Sequence, residues 1–153
     1  MDNKILKLEA VFKSFKEQKV LNNFSLEIDK GERMCLLGPS GCGKTTALRL
    51  VAGLEVPDKG KITLDSCIVT DDKTIIKETH ERQVGLVFQD LSLFPHLTIF
   101  ENVSYALRQF KTDEVVERTS YLLDCVGMLS YEKKFPHMIS GGEQQRVALA
   151  RAL

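Results

Sequence analysis

The segment RMCLLGPSGCGKTTALRLVAGL, Arg33 to Leu54, decides the fold of this chain. It opens with RMCLL, a short apolar run typical of a strand buried on both faces in a parallel sheet. It ends in TALRLVAGL, where apolar residues recur at helical spacing and Gly53 is placed to stop the helix. The residues expected to face inward are Ala47, Leu48, Val51 and Leu54. Strand, glycine-rich loop and helix in this order predict an α/β domain.

The loop GPSGCGKT, Gly38 to Thr45, fits the phosphate-loop pattern of glycine, four residues, glycine, lysine and threonine. Glycines let consecutive backbone N–H groups turn inward around a phosphate, and the following helix adds the positive end of its dipole. Lys44 would neutralise the terminal phosphates while the Thr45 hydroxyl ligates Mg²⁺. A chance match is expected on the order of once in a few hundred such chains. The loop's position between a strand and a helix makes chance a poorer explanation, so it predicts binding of a nucleoside triphosphate.

A second anion-ready helix start lies in ISGGEQQRVALARAL, Ile139 to Leu153. Ser140 is placed as the N-cap and Glu143 as the third helical residue, which together form a capping box around Gly141 and Gly142. A well-capped helix would explain the serine and the glutamate. It does not explain two glycines, since each costs about 0.5–1 kcal/mol relative to alanine in a helix. Their exposed N–H groups favour close approach of an anion.

The remaining patterns predict alternating strands followed by helices. KILKLEAVF and NFSLEID alternate with period two, as half-buried strands at an antiparallel sheet edge do, and KITL and CIVT predict two short strands around Asp65-Ser66. DDKTIIKETHER is polar and predicts a surface excursion, and QVGLVF predicts a second buried strand. A helix is expected to open at Thr98 with Glu101 in a capping box and to carry Phe100, Val103, Leu107 and Phe110 on one side. Another is expected over 113–126.

Composition indicates one globular domain. The 153 residues are 43% hydrophobic and 27% charged, and 21 Lys and Arg balance 21 Asp and Glu, so no overall positive field would attract nucleic acid. No apolar run approaches the roughly 18 to 20 residues of a transmembrane helix, and the N-terminus lacks the apolar core of a signal peptide. The four cysteines share no short spacing, which favours reduced thiols over a zinc site or a disulfide framework.

These motifs, in this order, resemble the ATP-binding subunit of an ATP-binding cassette (ABC) transporter from end to end of the chain. GPSGCGKTT resembles the family's Walker A loop, Gln89 in VFQD its Q-loop glutamine, and ISGGEQQRVALARAL its signature motif. Phe15 in FKSF falls where the family stacks an aromatic side chain on adenine. The resemblance implies that ATP and Mg²⁺ are bound. The implied nucleotide-binding residues are Phe15, Gly38, Pro39, Ser40, Gly41, Cys42, Gly43, Lys44, Thr45, Thr46, Ser140, Gly141 and Gly142.

The resemblance also implies how these residues work. Two such subunits pair head to tail, and Ser140, Gly141 and Gly142 of one would cap the γ-phosphate bound by the other. Lys44 and Gln89 would be the catalytic residues, with Thr45 and Gln89 at the metal. The implied partners are a second nucleotide-binding subunit, transmembrane permease subunits and, indirectly, a solute-binding protein, but no nucleic acid. The implied location is peripheral, on the cytoplasmic side of the cell membrane.

Within the family, SLFPHLTIFENVSYAL is similar to segments of importers, where the apolar residues would support the groove for a coupling helix of the permease. Those residues are Leu91, Leu93, Phe94 and Phe100. An ordinary apolar helix entry is the plain alternative. FPHMISGGEQQR and TIIKETHERQVGLVFQD look most like iron(III) importers, so iron is the first expectation for the cargo. Polyamine, sulfate, molybdate and sugar remain alternatives.

Two features depart from the family pattern. Glu143 stands where the family most often has glutamine, which adds a negative charge beside the expected phosphate. The strand with the Walker B aspartate and the catalytic glutamate, expected after ARAL, is not in this sequence, so we expect a piece of a longer subunit, incomplete at its C-terminus.

Rival interpretations of the function are an ATP-binding fragment without hydrolysis, a non-transport ABC protein and a small kinase. The expected organisation is an ATP-binding core with antiparallel edge strands over 1–93 and a helical signature-bearing segment over 94–153.

Overall fold

The structure, a computed structural model, describes residues 3–107 and 111–153. The chain divides into two compact units, residues 1–84 and residues 85–153. Within the described residues, the first unit contains a sheet and one α-helix, and the second contains three α-helices.

The first unit is built on an antiparallel sheet. Its strands are β1 (Lys4–Phe15), β2 (Gln18–Asp29), β3 (Lys59–Leu64), β4 (Cys67–Asp71) and β5 (Thr74–Ile75), in the order β2-β1-β3-β4-β5. Every neighbouring pair is antiparallel. Both predicted strands form, and the turn at Asp65-Ser66, where both residues have positive φ, is confirmed. The period-two alternation is interrupted in β1, where a register shift between Leu8 and Val11 leaves both of these side chains buried. β5 and a 3-10 turn at Thr79–Glu81 lie in the segment that the sequence predicted as a polar excursion.

Helix α1 (Lys44–Ala52) follows the glycine loop and ends at Gly53, whose φ of 78° confirms the predicted stop. Its inward face agrees with the predicted one at Ala47, which is buried, but not at Leu48 or Leu54. Leu50 is fully buried, whereas Leu48 is 50% exposed and Leu54 is 45% exposed. The buried face of α1 is therefore rotated about the helix axis relative to the face predicted from the apolar spacing. The core beneath it consists of Leu8, Val11, Leu21, Ala47, Leu50, Ile62 and Val69.

The two predicted buried parallel strands, RMCLL and QVGLVF, are not strands in this structure. Leu37 is 88% exposed, and Met34, Val87 and Phe88 are also exposed. A strand forms only where a neighbouring strand accepts and donates its ladder hydrogen bonds. The five described strands pair only with one another, so neither segment has a ladder to join.

The second unit contains α2 (Ile99–Ser104), α3 (Thr112–Cys125) and α4 (Gly141–Ala152), with 3-10 turns at Tyr105–Leu107, Leu129–Tyr131 and Pro136–Met138. The capping box of Thr98 and Glu101 is confirmed. Helix α3 begins and ends one residue before the predicted bounds. The predicted inward role of Phe110 lies outside the described residues. The core of this unit consists of Ile99, Val103, Leu122, Leu123, Met128, Ile139, Val147 and Ala150.

Candidate functional site

The loop before α1 is exposed, and its backbone carbonyl groups accept hydrogen bonds from the Lys44 ammonium. Lys44 Nζ donates to the carbonyl oxygens of Gly38 at 2.7 Å and Pro39 at 2.8 Å, and lies 3.5 Å from Cys42 Sγ. The other loop residues, Ser40, Gly41 and Thr45, are exposed, and Thr46 is half-buried. A positive group therefore lies within the loop, held only by neutral acceptors that an anion could replace.

Two glycines of this loop are required by its shape. Gly43 has φ of 98°, and a Cβ there would lie 2.9 Å from both the Val20 carbonyl oxygen and Leu21 Cδ2. Gly38 has φ of 156°, and its Cβ would lie 2.8 Å from Cys42 Sγ. Left-handed backbone and close packing both exclude a side chain at Gly43. The glycine brings the start of α1 against β2.

The first turn of α1 has no side-chain cap. Its N-cap is Gly43, which offers no acceptor, and the turn contains no acidic residue. The first N–H groups of a helix have no acceptor within the helix. The start of α1 therefore presents uncapped N–H donors and the positive end of a dipole beside Lys44, which is the arrangement that binds phosphate groups.

Phe15 lies at the end of β1 with 43% of its surface exposed. Lys13, two residues earlier on the same strand, places Nζ 4.9 Å from the centre of the Phe15 ring. The same ammonium pairs with Glu55 at 3.2 Å and donates to the Val56 carbonyl oxygen at 2.7 Å. The sequence analysis identified Phe15 but missed Lys13, because its partner Glu55 is distant in the sequence.

The start of α4 is capped from within. The Ser140 backbone N–H and hydroxyl both donate to Glu143 Oε2, at 2.7 and 2.8 Å, and the Glu143 N–H donates back to Ser140 Oγ at 3.4 Å. Hydrogen bonds from the Ser140 backbone and then from its hydroxyl hold the pKa of Glu143 below its ordinary value. The predicted capping box is confirmed, and its carboxylate is the charged form.

Gly141 and Gly142 are exposed, and neither has a positive φ. A Cβ on either glycine would meet no atom within 4 Å. Neither the backbone nor the packing of this chain therefore requires glycine at these two positions. Their N–H groups are left open to the approach of a group from outside.

Gln89 is exposed in a tight turn in which the Leu91 N–H donates to the Phe88 carbonyl oxygen at 3.0 Å. The two residues that follow this turn, Leu91 and Ser92, have φ of 60° and 43°, which is unfavourable for side chains other than glycine. Arg151 near the end of α4 donates to both of their carbonyl oxygens, at 2.8 and 2.7 Å. This arginine, which the sequence analysis missed, connects the signature helix to the loop that carries Gln89.

A buried amide shapes the next part of this loop. Asn102 Nδ2 donates to the carbonyl oxygens of Phe94, Leu97 and Thr98, and its Oδ1 accepts from the Phe94 N–H at 2.8 Å. The Phe94 ring packs on Tyr105, with 4.7 Å between ring centres. Asn102 therefore fixes the FPHLT turn before α2. Its role depends on a return of the chain onto α2, so polarity alone could not identify it.

Arg82 is a second arginine that the sequence analysis missed. It is 4% exposed and donates five hydrogen bonds within the first unit. Burial lowers its pKa from the ordinary value. Its acceptors include the carbonyl oxygens of Leu50 and Val51 in the last turn of α1, so it caps the C-terminal end of this helix from a buried position. The five acceptors are the oxygens of Leu50, Val51, Val69, Thr70 and Lys77.

The predicted site residues thus form two groups. Loop residues 38–46 and Phe15 belong to the first unit, whereas Gln89, Ser140, Gly141 and Gly142 belong to the second. Across residues 3–107 and 111–153, no group of three or more His, Cys, Asp or Glu side chains could hold a metal ion. Within the same ranges no helix combines the length and apolar character needed to cross a membrane.

Comparison with known proteins agrees with this geometry. A family model described as ABC transporter matches residues 21–153. The chain is 44% identical over 151 residues to the spermidine/putrescine import ATP-binding protein PotA of Aliivibrio fischeri, covering 97% of this chain and 39% of that protein. It is 46% identical over 148 residues to the protein of the same name from Salmonella typhimurium, covering 95% and 38%.

Two solved structures are similar to the fold. An ATP-binding cassette in a dimeric post-hydrolysis state bound to ADP and Pi gives a TM-score of 0.82 at 32% identity, covering 97% of this chain and 68% of that one. CbiO1 from Clostridium perfringens, part of an ABC transporter complex, gives 0.85 at 28% identity, covering 99% and 62%. The predicted α/β phosphate-loop fold class is confirmed.

The two curated relatives are longer than this chain and are named for one class of cargo. The chain spans 39% of the length of the Aliivibrio protein. Both relatives are named for spermidine and putrescine, so the first expectation for the cargo, iron(III), finds no support in them. Polyamine, one of the alternatives, agrees with their names.

Proposed function

Because the chain belongs to the ABC transporter family, we propose that it is the ATP-binding part of an import subunit that couples ATP binding and hydrolysis to uptake of a polyamine. The observation that carries the proposal is the uncapped start of α1 with Lys44 folded into the glycine loop. In this role the expected division is a core over 1–93 and a helical segment over 94–153.

The first unit supplies the groups that hold the nucleotide. The loop N–H groups and Lys44 bind the phosphates, with Gly38 to Thr46 forming the cradle and Phe15 stacking on adenine. Replacing the two neutral carbonyl acceptors of Lys44 with anionic phosphate oxygens turns its hydrogen bonds into ion pairs, which favours the bound state. The exposed Thr45 hydroxyl would hold Mg²⁺, and the ion would supply neutralisation of phosphate charge. Gln89, in the second unit, is the other metal ligand that the resemblance implies.

The second unit supplies the groups for a partner's nucleotide. Gly141 and Gly142 have no internal reason to be glycine, and Ser140 is exposed beside them. These residues would cap the γ-phosphate held by a second copy of the subunit, in a head-to-tail homodimer. The dimeric state of the similar cassette bound to ADP and Pi supports this arrangement.

Permease subunits would contact the loop that Asn102 and Arg151 shape, through Leu91, Leu93, Phe94 and Phe100. Contact with them would place the subunit on the cytoplasmic side of the membrane, and a solute-binding protein would deliver the cargo. The assignment of a polyamine rests on the names of the relatives alone. Sulfate, molybdate and sugar have no comparable support.

The test of nucleotide binding compares Lys44→Ala with Lys73→Ala, which removes an exposed lysine of the β4–β5 turn. Loss of a charge-assisted contact should weaken ATP binding about 10- to 100-fold for Lys44→Ala, with no change for Lys73→Ala. Isothermal titration calorimetry with ATP in the presence and absence of Mg²⁺ measures both variants. Equal ATP affinity of the Lys44→Ala variant and the unchanged protein would refute the proposed site.

Hydrolysis and cargo need the complete transporter. Reconstituted with its permease and solute-binding protein, the subunit should hydrolyse ATP faster when spermidine or putrescine is supplied than when iron(III) is supplied. ATP binding without any turnover in that assembly would instead support the alternative of a binding module.

A further inference from the structure

Lys13 is a nearly buried cation whose side chain is only 12% exposed. Its ammonium has three neighbours: the Glu55 carboxylate at 3.2 Å, the Val56 carbonyl oxygen at 2.7 Å and the centre of the Phe15 ring at 4.9 Å. A cation within about 6 Å of an aromatic ring centre is attracted by the ring's electrons. Lys13 therefore contacts Phe15 while two oxygen acceptors hold its position.

We propose that Lys13 is a positioning residue that orients the Phe15 ring for stacking on the nucleotide base. The inference rests on the proposed function, in which Phe15 receives adenine. It goes beyond that function because it assigns the orientation of the ring to a second side chain. It also places Glu55 as the group that holds Lys13.

The geometry of β1 explains why these two side chains meet. Residues two apart on a strand point to the same face, so Lys13 and Phe15 lie side by side. Phe15, at the strand end, is 43% exposed, so packing covers only part of its ring. The attraction to an anchored ammonium supplies a further restraint, and a base can stack on ring surface that remains exposed.

The anchor of Lys13 belongs to the segment that follows α1. In this segment Asp58 makes two further connections to β1: the Ser14 N–H donates to Asp58 Oδ2 at 2.7 Å, and the Asp58 N–H donates to the Phe12 carbonyl oxygen at 2.8 Å. The end of β1 is thus hydrogen-bonded to the segment just after α1. Lys13 extends this connection to the ring that would meet the base.

The main competing explanation is that Lys13 only stabilises the fold through Glu55. Binding of ATP and of tripolyphosphate separates the two explanations, because tripolyphosphate has the phosphates and lacks the base. A misplaced ring should weaken ATP binding alone. A general loss of structure should weaken both ligands.

The experiment uses the full chain with Lys13→Met, which keeps the length of the side chain and removes the charge, and Lys73→Met as its matched control. Phe15→Ala and the double variant complete a cycle, and thermal melts establish that each variant is folded. Lys13→Met should weaken ATP binding about two- to fivefold, leave tripolyphosphate binding unchanged and have no further effect in the Phe15→Ala background. Lys13→Arg should retain most of the ATP affinity.

Four results would overturn the inference. Equal losses for ATP and tripolyphosphate would assign Lys13 a structural role, and an undiminished effect of Lys13→Met in the Phe15→Ala background would show that it does not act through the ring. The third result is normal ATP affinity in Lys13→Met while Phe15→Ala loses affinity, which leaves the proposed role of Phe15 intact. If Phe15→Ala itself binds ATP normally, the proposed stacking fails, and the inference that rests on it fails too.

Discussion

The helices α1 and α4 both begin with N–H groups that could bind an anion, but their first turns differ in capping and in charge. Helix α1 begins at a left-handed glycine, Gly43, without any side-chain cap, and Lys44 adds a positive charge. Helix α4 begins at Ser140 and is closed by the carboxylate of Glu143, a negative charge. The first start has no side-chain acceptor of its own, whereas the second pairs the Ser140 and Glu143 N–H groups within its own chain and leaves those of Gly141 and Gly142 open.

The glycines at the two helix starts also differ in whether the fold requires them. The fold demands Gly43, because its φ is positive and a Cβ would meet β2. The fold does not demand Gly141 or Gly142, because a Cβ on either would point into open space. A residue that costs stability without serving the packing of its own chain indicates a role towards a partner. The comparison therefore agrees with the proposal of one binding site in cis and one in trans.

The largest expected effect comes from Gly43→Ala. A left-handed alanine in contact with the Val20 carbonyl oxygen should lower the free energy of unfolding by about 2–4 kcal/mol. The helix start would also shift away from β2, so ATP affinity should fall with stability. Urea unfolding measured by circular dichroism, together with calorimetric titration of ATP, checks both effects. A fully stable Gly43→Ala variant would contradict the distinction between the two starts.

Gly142→Ala is the matched change in α4 and should act in the opposite direction. Alanine is the better helix residue, and the open space accommodates its methyl group, so the free energy of unfolding should rise by about 0.5–1 kcal/mol. ATP binding by the single chain should not change. Pairing of two copies in the presence of ATP, measured by sedimentation, should weaken. Unchanged pairing would remove the argument that this glycine serves a partner.

An effect of similar size is expected from Ser140→Ala. Loss of the hydroxyl removes the acceptor for the Glu143 N–H and one donor to its carboxylate, which should cost about 1 kcal/mol of unfolding free energy. Ser140→Thr keeps both hydrogen bonds and serves as the control. Hydrogen exchange should show faster exchange of the first-turn amides of α4 in Ser140→Ala alone. Equal exchange in both variants would mean that the capping box does not hold this turn.

Local rules explain why some parts of this structure could be predicted and others could not. The capping boxes at Thr98 and Ser140 and the helix stop at Gly53 depend on residues within a few positions, and all three are confirmed. RMCLL and QVGLVF depend on partner strands that no local pattern supplies, and they are not strands here. Among the site residues, the glycine loop could be recognised from spacing alone.

The missed polar residues have a common physical reason. Arg82, Asn102 and Arg151 donate mainly to backbone carbonyl groups, some of them far away in the sequence, so their roles depend on how the chain returns on itself. A sequence reveals that arginine and asparagine are polar but not which carbonyl groups need a donor. The error in predicting which residues of α1 face inward has a similar origin. Leu50 is buried in place of Leu48 because the sheet below selects the face of the helix.

The smallest expected effect tests the charge that distinguishes the two starts, through Glu143→Gln. The folded pKa of Glu143 is lowered, so its stabilising contribution is fully present above its unfolded value of about 4.5 and is lost as the pH falls through the folded pKa. Glutamine can still accept from the Ser140 N–H, so the variant should lose this part of the acid dependence and little else. Urea unfolding between pH 3 and pH 7 measures this acid dependence, with Glu132→Gln as the control.

At neutral pH the Glu143→Gln variant should also pair more tightly in the presence of ATP, since a negative charge is removed from the first turn of α4, where a partner's phosphate would approach. Unchanged pairing by light scattering would mean that Ser140 and the two glycines, and not the charge of Glu143, set the strength of that contact.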